Sequence, residues 1–503
     1  MEAKRFSAAS VAVSEEIHGD ITPGQFYDDT TVSAEITFQS KPDTVIRLHP
    51  WRISPFGMEF VIDKNAYPFV AHFSGGDRLN AKLYIGKQES NFFGLTVVAT
   101  KIDGDRLAFG VRWFDDTPAP KEAKVATEER RKSRRWLCGD EFLPIGICQS
   151  PIRFNDFIHF KILDLSTSGL MLVTSLRNRY LVPGLTLDTQ ITFPMFAQVR
   201  AQIEIKNTRV IDRNGKSHLG IGAELKNPSK MVLNAIGQYI FQFGPPNSIA
   251  ELKKHGLNVP KASQGVEYSY ARSIEEYQNV LELRRTAYLR AQKIAADVKP
   301  ENLSDALDAK SRIIVAKYRQ EVVASTRLVF HGPEDSYEVE KHTALPANFP
   351  SKYDSVEASR LCIHPDFQKG DIFLGLFKQL GITAAQARKR YIVSFASDEM
   401  LPFYMKAGAT KTSTNFKHSG LNGLRHHVIV WDIAQAISGS GVNPFVWDFI
   451  YSDLKEYLES TGIVEFTPMM NLRANLYKSL RPIAKVIQFF KQDRRRDPSR
   501  TKG

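Results

Sequence analysis

Residues 128–136 read EERRKSRRW, and residues 164–169 read DLSTSG. Taken alone, the basic run fits a solvated linker, a nucleic-acid hook or an anion site equally well. The second stretch is a turn, because Asp and Ser side chains bond back to nearby backbone and Gly permits a close bend. Around it, FIHFKILDLS, LMLVTS, TQITFP, QVRAQIEIKNTRVI and LGIGAEL alternate apolar and polar residues at the strand period, with turn residues between them. The spacing predicts a small β-barrel. A helix follows in KMVLNAIGQYIFQFG, where Met231, Leu233, Ile236, Tyr239, Ile240 and Phe243 share one face. Together these elements span residues 129–243.

Upstream, residues 28–114 repeat the pattern with VSAEITF, DTVIRLHPW, GMEFVI, NAKLYIG, FFGLTVVAT and RLAFGVRWF. RISPFG (52–57) stands where DLSTSG stands in the second segment, so a duplicated fold is expected. Residues 1–27 read as a loose polar N-terminus. Residues 115–128 (DDTPAPKEAKVATE) and 244–264 read as linkers. Residues 265–435 change character: strands and long helical patterns alternate, which predicts an α+β domain. Residues 436–503 read as a helical extension with a basic tail.

Composition narrows the function classes. Ten Lys/Arg against two Asp in residues 471–503 carry eight of the twelve net positive charges, so the basic balance describes a tail rather than a nucleic-acid-binding protein. No recognition helix accompanies the charge. Cys138, Cys148 and Cys362 form no CxxC pair and no His partners stand at ligand spacing, which excludes a disulfide framework and a metal site and points to a reducing cytoplasm. The N-terminus, MEAKRFSAASVAVSEEIHGD, turns acidic after a very short apolar patch and does not read as a secretory signal. In the tail, LRPIAKVIQFFKQDRRR reads either as a peripheral membrane helix at the inner membrane or as a helix packed on the preceding domain.

Arg131-Lys-Ser-Arg-Arg135, followed after 28 intervening residues by Asp164-Leu-Ser166-Thr-Ser-Gly169, resembles the paired signature of PilZ domains. The resemblance implies a cyclic di-GMP site, an effector made by bacteria. Arginine can pair with a phosphate through two donors, or donate to or stack on guanine. The register is open between Arg130/Arg134 and Arg131/Arg135; the family pattern favours the latter, with Arg130 assisting. Residues 28–114 are similar to a degenerate PilZ domain, since Arg52 replaces the Asp and no arginine pair precedes it.

Further along come Arg284, Arg285 and Tyr288, then Asp305 and Asp308, Arg327, and Glu357-Ala-Ser-Arg360. In that order they resemble the GNAT-fold branch of acyl-homoserine-lactone synthases and N-acyl amino acid synthases. This implies an N-acyltransferase that moves a fatty acyl group from an acyl-carrier-protein or acyl-CoA thioester to an amine, often that of an amino acid, with no tightly bound cofactor. Glu357 is the expected base and Arg360 its orienting partner. Backbone near Leu361, Cys362 and Ile363 is expected to meet the thioester oxygen, and Gln368, Lys369 and Gly370 the donor phosphate. Arg284, Asp305, Asp308 and Arg327 are expected to hold the acceptor or to organise the lobe. The turn departs from the acetyltransferase pattern: it is one glycine short and carries Asp371, which disfavours a pyrophosphate and favours a carrier protein. Cys362 is expected in the core, His364-Pro365 in a turn and His426-His427 in an ordinary strand. The competing expectation is a non-catalytic cyclic di-GMP receptor whose GNAT-like domain binds a partner or membrane.

Overall fold

The computed structural model describes residues 32–69, 74–113, 133–153, 155–368, 370–418 and 423–479. The chain divides into two compact units, residues 1–247 with 252–259 and residues 248–251 with 260–503. Both β segments fall within the first unit.

The first sheet contains β1 (Val32–Phe38), β2 (Lys41–Leu48), β3 (Arg52–Ser54), β4 (Gly57–Asp63), β5 (Arg78–Ile85), β6 (Gln88–Asp103) and β7 (Arg106–Arg112), in the order β2-β1-β5-β6-β7-β4-β3. The second contains β8 (Trp136–Leu137), β9 (Ile145–Gln149), β10 (Phe157–Leu165), β11 (Gly169–Thr174), β12 (Thr186–Phe193), β13 (Ala197–Arg213) and β14 (Lys216–Lys226), in the order β11-β14-β13-β12-β9-β10-β8. Pairing of β10 with β11 closes six of these strands into a barrel. The two sheets share their connectivity. β1–β2, β1–β5, β5–β6, β6–β7 and β4–β7 match β9–β10, β9–β12, β12–β13, β13–β14 and β11–β14. They differ in the second strand. His49-Pro50-Trp51 interrupts it, because proline has no N–H for a ladder, and β3 resumes the pairing with β4.

Alternation buries Val32, Ala34, Ile36 and Phe38 in one sheet and Ile158, Phe160 and Ile162 in the other. α1 (Lys230–Phe243) is capped by Ser229, which accepts the Val232 N–H, and Tyr239 packs on Phe193 at 5.7 Å. Within the unit, Gln88 clasps one residue of the second sheet: its Nε2 donates to the Thr186 carbonyl (2.6 Å) and its Oε1 accepts the Thr186 N–H (2.8 Å). The short helix α2 (Ile249–Lys254) lies in the connection.

The second unit is α+β, with β15 (Glu267–Tyr270), β16 (Ser311–Tyr318), β17 (Glu321–Val329), β18 (Ser355–Ile363), β19 (Tyr391–Ser397), β20 (Thr410–His418) and β21 (Leu424–Asp432) in the order β15-β16-β17-β18-β19-β21-β20. β16 and β17 form the expected hairpin, turning through Arg319 and Gln320, both at positive φ. α3 (Ile274–Arg290) and α4 (Ile372–Gln386) pack on the sheet, and α5 (Leu401–Lys406) follows β19. α6 (Ile433–Ile437), α7 (Pro444–Ile450), α8 (Ser452–Ser460) and α9 (Pro468–Ser479) complete the described extension. No helix among the described residues is long and apolar enough to cross a membrane. The basic tail beyond residue 479 lies outside the described residues.

β18 and β19 are the parallel pair, and the ladder between them is short. It joins Ser355, Val356 and Glu357 to Tyr391, Ile392 and Val393. Beyond Glu357 the two strands part. At that point β18 carries an extra residue against β17, and Arg360 sits there at φ +55°. Such a bulge bends a strand and re-aims its side chains.

Candidate functional sites

In the barrel, the end of the basic run becomes strand β8, whose Trp136 and Leu137 pair with Leu165 and Asp164. That pairing brings the two sequence fragments together. Arg135 Nη1 donates to the Asp164 carboxylate at 3.3 Å, and Ser133 Oγ lies 2.7 Å from Ser168 Oγ. Arg134 stacks over Trp136. Ser166 is buried and shapes the turn: its Oγ accepts the Gly169 N–H (2.8 Å) and the Ser168 N–H (3.3 Å). In the first sheet, Ser54 Oγ accepts the Gly57 and Phe56 N–H groups in the same way, both at 3.2 Å. Both glycines face a closing strand. A Cβ at Gly169 would come within 2.8 Å of the Ala223 carbonyl oxygen, and one at Gly57 within 1.8 Å of that of Val111. Arg130 and Arg131 lie outside the described residues.

In the second unit, three arginines and three carboxylates alternate. Arg284 meets Asp308 through two donors (2.8 and 3.0 Å). Arg327 reaches Asp305 (2.6 Å), Asp308 (2.9 Å) and Glu338 (2.8 Å), and its Nε donates to Ser359 Oγ (3.0 Å). Arg360 reaches Asp305 (2.9 Å) and Glu338 (3.6 Å). Tyr277 donates to Asp308 as well (2.7 Å). Burial opposes ionisation of Asp308. The hydrogen bonds and charge of Arg284, helped by Tyr277 and Arg327, outweigh it and hold the carboxyl well below the usual carboxylate range. Asp305 shifts the same way: burial opposes, and Arg327 and Arg360 prevail. Arg284, Asp305, Asp308 and Arg327 bond to one another and are not among the residues lining the cavity between β18 and β19. Arg360 does line it.

That cavity, of about 430 Å³, opens where β18 and β19 part. Residues 358–363 form one wall and residues 394–397 the other. Phe373, Phe377, Leu380, Tyr404 and Trp431 make an apolar floor, tied together by edge contacts such as Tyr404 to Trp431 at 5.2 Å. Leu361, Cys362, Ile363 and Gln368 line it; Gln368 Nε2 donates to the Ile363 carbonyl (3.3 Å). Lys369 lies outside the described residues, and Gly370 directly precedes the N-cap of α4. Asp371 is that N-cap, but its carboxylate does not cap the helix. It accepts the N–H (2.7 Å) and Oγ–H (2.6 Å) of Ser263. Arg360 Nε is buried and has no acceptor.

Glu357 is wholly buried, lies at the end of the β18–β19 ladder, and is not among the residues that line this cavity. Its oxygens accept from His331 Nε2 (2.8 Å) and from the N–H groups of Glu338 (2.7 Å) and Val339 (3.3 Å). A carboxylate so enclosed fixes the segment that carries Glu338. The polar groups that do line the cavity include Glu338, Lys293, His418 and His426. Sequence reasoning passed over the first three because Glu338 sits in an aperiodic loop, Lys293 in a turn, and His418 at the end of a polar edge strand. His426 had been read as ordinary strand. Burial, followed by the neighbouring His342 and His426 rings, pushes the His418 imidazole down to about 4. Cys362 is buried in a cluster with Leu283, Ala287 and Tyr288, in keeping with a core role, and burial pushes its thiol up. His364 caps the turn over Pro365–Phe367.

Residues 279–424 match the family model described as N-acyl amino acid synthase FeeM. Among solved structures, FeeM, an N-acyl amino acid synthase from uncultured soil microbes, is similar at 11% identity and a TM-score of 0.29, covering 37% of this chain and 97% of that one. Escherichia coli ElaA is similar at 15% identity and a TM-score of 0.25, covering 33% and 99%. The K. pneumonia MrkH–c-di-GMP complex is similar at 16% identity and a TM-score of 0.18, covering 44% and 86%. No curated protein matches the chain. On the family match, the chain is an N-acyltransferase.

Proposed function

We propose that the second unit transfers a fatty acyl group from an acyl-carrier-protein or acyl-CoA thioester to the amine of an amino acid. The observation that carries this reading is the cavity between the parting strands, lined by apolar rings and by charged and polar side chains. The floor suits an acyl chain, whose burial is favourable by roughly 0.8 kcal/mol per CH₂. Past Glu357 the edge of β18 no longer has β19 as ladder partner, so its backbone can face a thioester. The Arg360 Nε–H, which has no acceptor, is a donor for the oxygen on which charge develops. The acceptor nitrogen bonds to the acyl carbon, the C–S bond breaks, and the thiol leaves. Incubating the full chain with fatty acyl thioesters of both carriers and a mixture of amino acids tests this by mass spectrometry. N-acyl amino acids and free thiol are expected; no amide from either donor overturns it.

The barrel is proposed to bind cyclic di-GMP as an effector. The support is the pairing of β8 with β10, which sets Arg135 beside Asp164 and the serine turn. Among the described residues, the exposed Arg135 guanidinium pairs with Asp164, a contact that can be exchanged for a ligand phosphate or guanine edge. Calorimetry on the full chain is expected to show binding that Arg135→Ala weakens at least about tenfold, equivalent to some 1.4 kcal/mol. Undiminished binding by Arg131→Ala plus Arg135→Ala removes the site.

A further inference from the structure

The cavity is lined by a cation, Lys293, and a proton acceptor, His426, both outside the arginine–carboxylate network. Among the described cavity residues Arg360 spends its charge on Asp305 and Glu338, whereas Lys293 faces no carboxylate within ion-pair distance. Its position is fixed by its backbone. Gln292, at φ +56°, ends α3, and the Lys293 N–H turns back to the Tyr288 carbonyl (2.9 Å). His426 is on β21 and 4% exposed. Its Nδ1–H donates to the Leu424 carbonyl (2.8 Å), so the neutral ring carries its lone pair on Nε2. Phe395 meets the ring edge-on at 5.6 Å and Phe416 stacks on it at 5.8 Å, which fixes its plane. Lys293 is close enough for its charge to act on His426.

We propose that these two side chains take a zwitterionic acceptor, an α-amino acid or close analogue, in the cavity: Lys293 pairs with its carboxylate, and His426 Nε2 takes the proton its amine loses on attack. This rests on the acyl-transfer reading above and assigns the acceptor's subsite within it. The balance is simple. The acceptor enters as an ammonium and gives one proton to solvent. The free amine attacks, the N–C bond forms and the C–S bond breaks, and the second proton passes through His426 to the departing thiolate. A neutral imidazole is required for that step. Burial holds His426 toward the neutral form, the Leu424 carbonyl opposes it, and Lys293 and His342 add to burial while Asp398 opposes. His418 is the other imidazole against the ring, at 5.6 Å. The acidic limb of kcat therefore lies below the ordinary histidine value of about 6.5.

The test is steady-state thiol release by the full chain at a saturating fatty acyl thioester, of acyl-carrier protein and of CoA in turn, with an amino acid that it acylates and with the matching decarboxylated amine. Wild type prefers the amino acid. Lys293→Met is expected to raise KM for the amino acid about tenfold with kcat nearly unchanged, to leave the amine unaffected, and to be rescued by Lys293→Arg. His426→Gln is expected to lower kcat roughly a hundredfold with both acceptors and to abolish the acidic limb. Calorimetry with the same thioester, unchanged in each variant, separates lost chemistry from lost fold. Equal effects of Lys293→Met on both acceptors, or an intact pH profile in His426→Gln, overturn the assignment while wild-type turnover stands. No thiol release by wild type from either carrier's thioester with any amine overturns the acyl-transfer reading, and the subsite with it.

Discussion

Asp308 illustrates how one residue can be legible in sequence while its role is not. Its place in the order Arg, Asp, Asp, Arg, Glu marked it, but only the fold shows that it neutralises Arg284 and Arg327 in the interior. Removing one partner leaves a buried uncompensated charge. Asp308→Ala is therefore expected to lower the unfolding free energy of the second unit by about 3–5 kcal/mol, measured by denaturant titration. The carboxyl's depressed value gives the sign with pH: its contribution is fully present above the unfolded value of about 3.9 and is lost as pH falls through the folded one. His418 gives the same sign in a higher pH window. Its imidazole is held down to about 4, so the unfolded chain binds the proton first and stability declines as pH falls from about 6.5 toward 4. His418→Gln is expected to flatten that decline, as read by thermal unfolding across the interval. Glu357→Gln is expected to cost stability, since it disturbs three buried hydrogen bonds, while changing kcat less than about tenfold at permissive temperature.

Among the elements, those with clear periodicity were legible and those at edges were not. The helices at Lys230–Phe243 and Ile372–Gln386 and the hairpin β16–β17 follow their apolar patterns. Strand β20, TKTSTNFKH, does not. It lies at the end of the sheet, exposes most of its side chains, and needs no alternation to be stable there. His418, its last residue, was lost with it. The serine turns were legible as chemistry, and their shared geometry in both sheets is the finding at this scale. Gly169→Ala and Gly57→Ala are both expected to destabilise the first unit by about 1–3 kcal/mol, with Gly57 the worse because its Cβ would strike a backbone carbonyl at 1.8 Å. Equal unfolding midpoints for wild type and Gly57→Ala would contradict that geometry.

For the whole molecule, a barrel, proposed above to bind cyclic di-GMP, and an acyltransferase occupy one chain. If cyclic di-GMP regulates transfer, it must favour one state of the protein over another, and the coupling must be reciprocal. Adding it to the full chain is expected to change kcat/KM for the acyl donor. In calorimetry, saturating donor is then expected to change cyclic di-GMP affinity by the factor by which the effector changes donor affinity. Identical affinities with and without donor, together with unchanged kcat/KM, would mean that the units act independently.

By itself the sequence determined the order of β, β and α+β segments, the paired fragments around Arg135 and Asp164, and the ordered charges from Arg284 to Arg360, because periodicity and spacing are properties of a linear chain. The tertiary structure decided which of those charges meet each other and which meet a ligand. It drew Glu357 into the closed end of the β18–β19 ladder and opened the strands one bulge later. It brought Lys293, Glu338, His418 and His426 to one cavity from four separate elements. No local pattern encodes that meeting, since the side-chain directions depend on where two strands part.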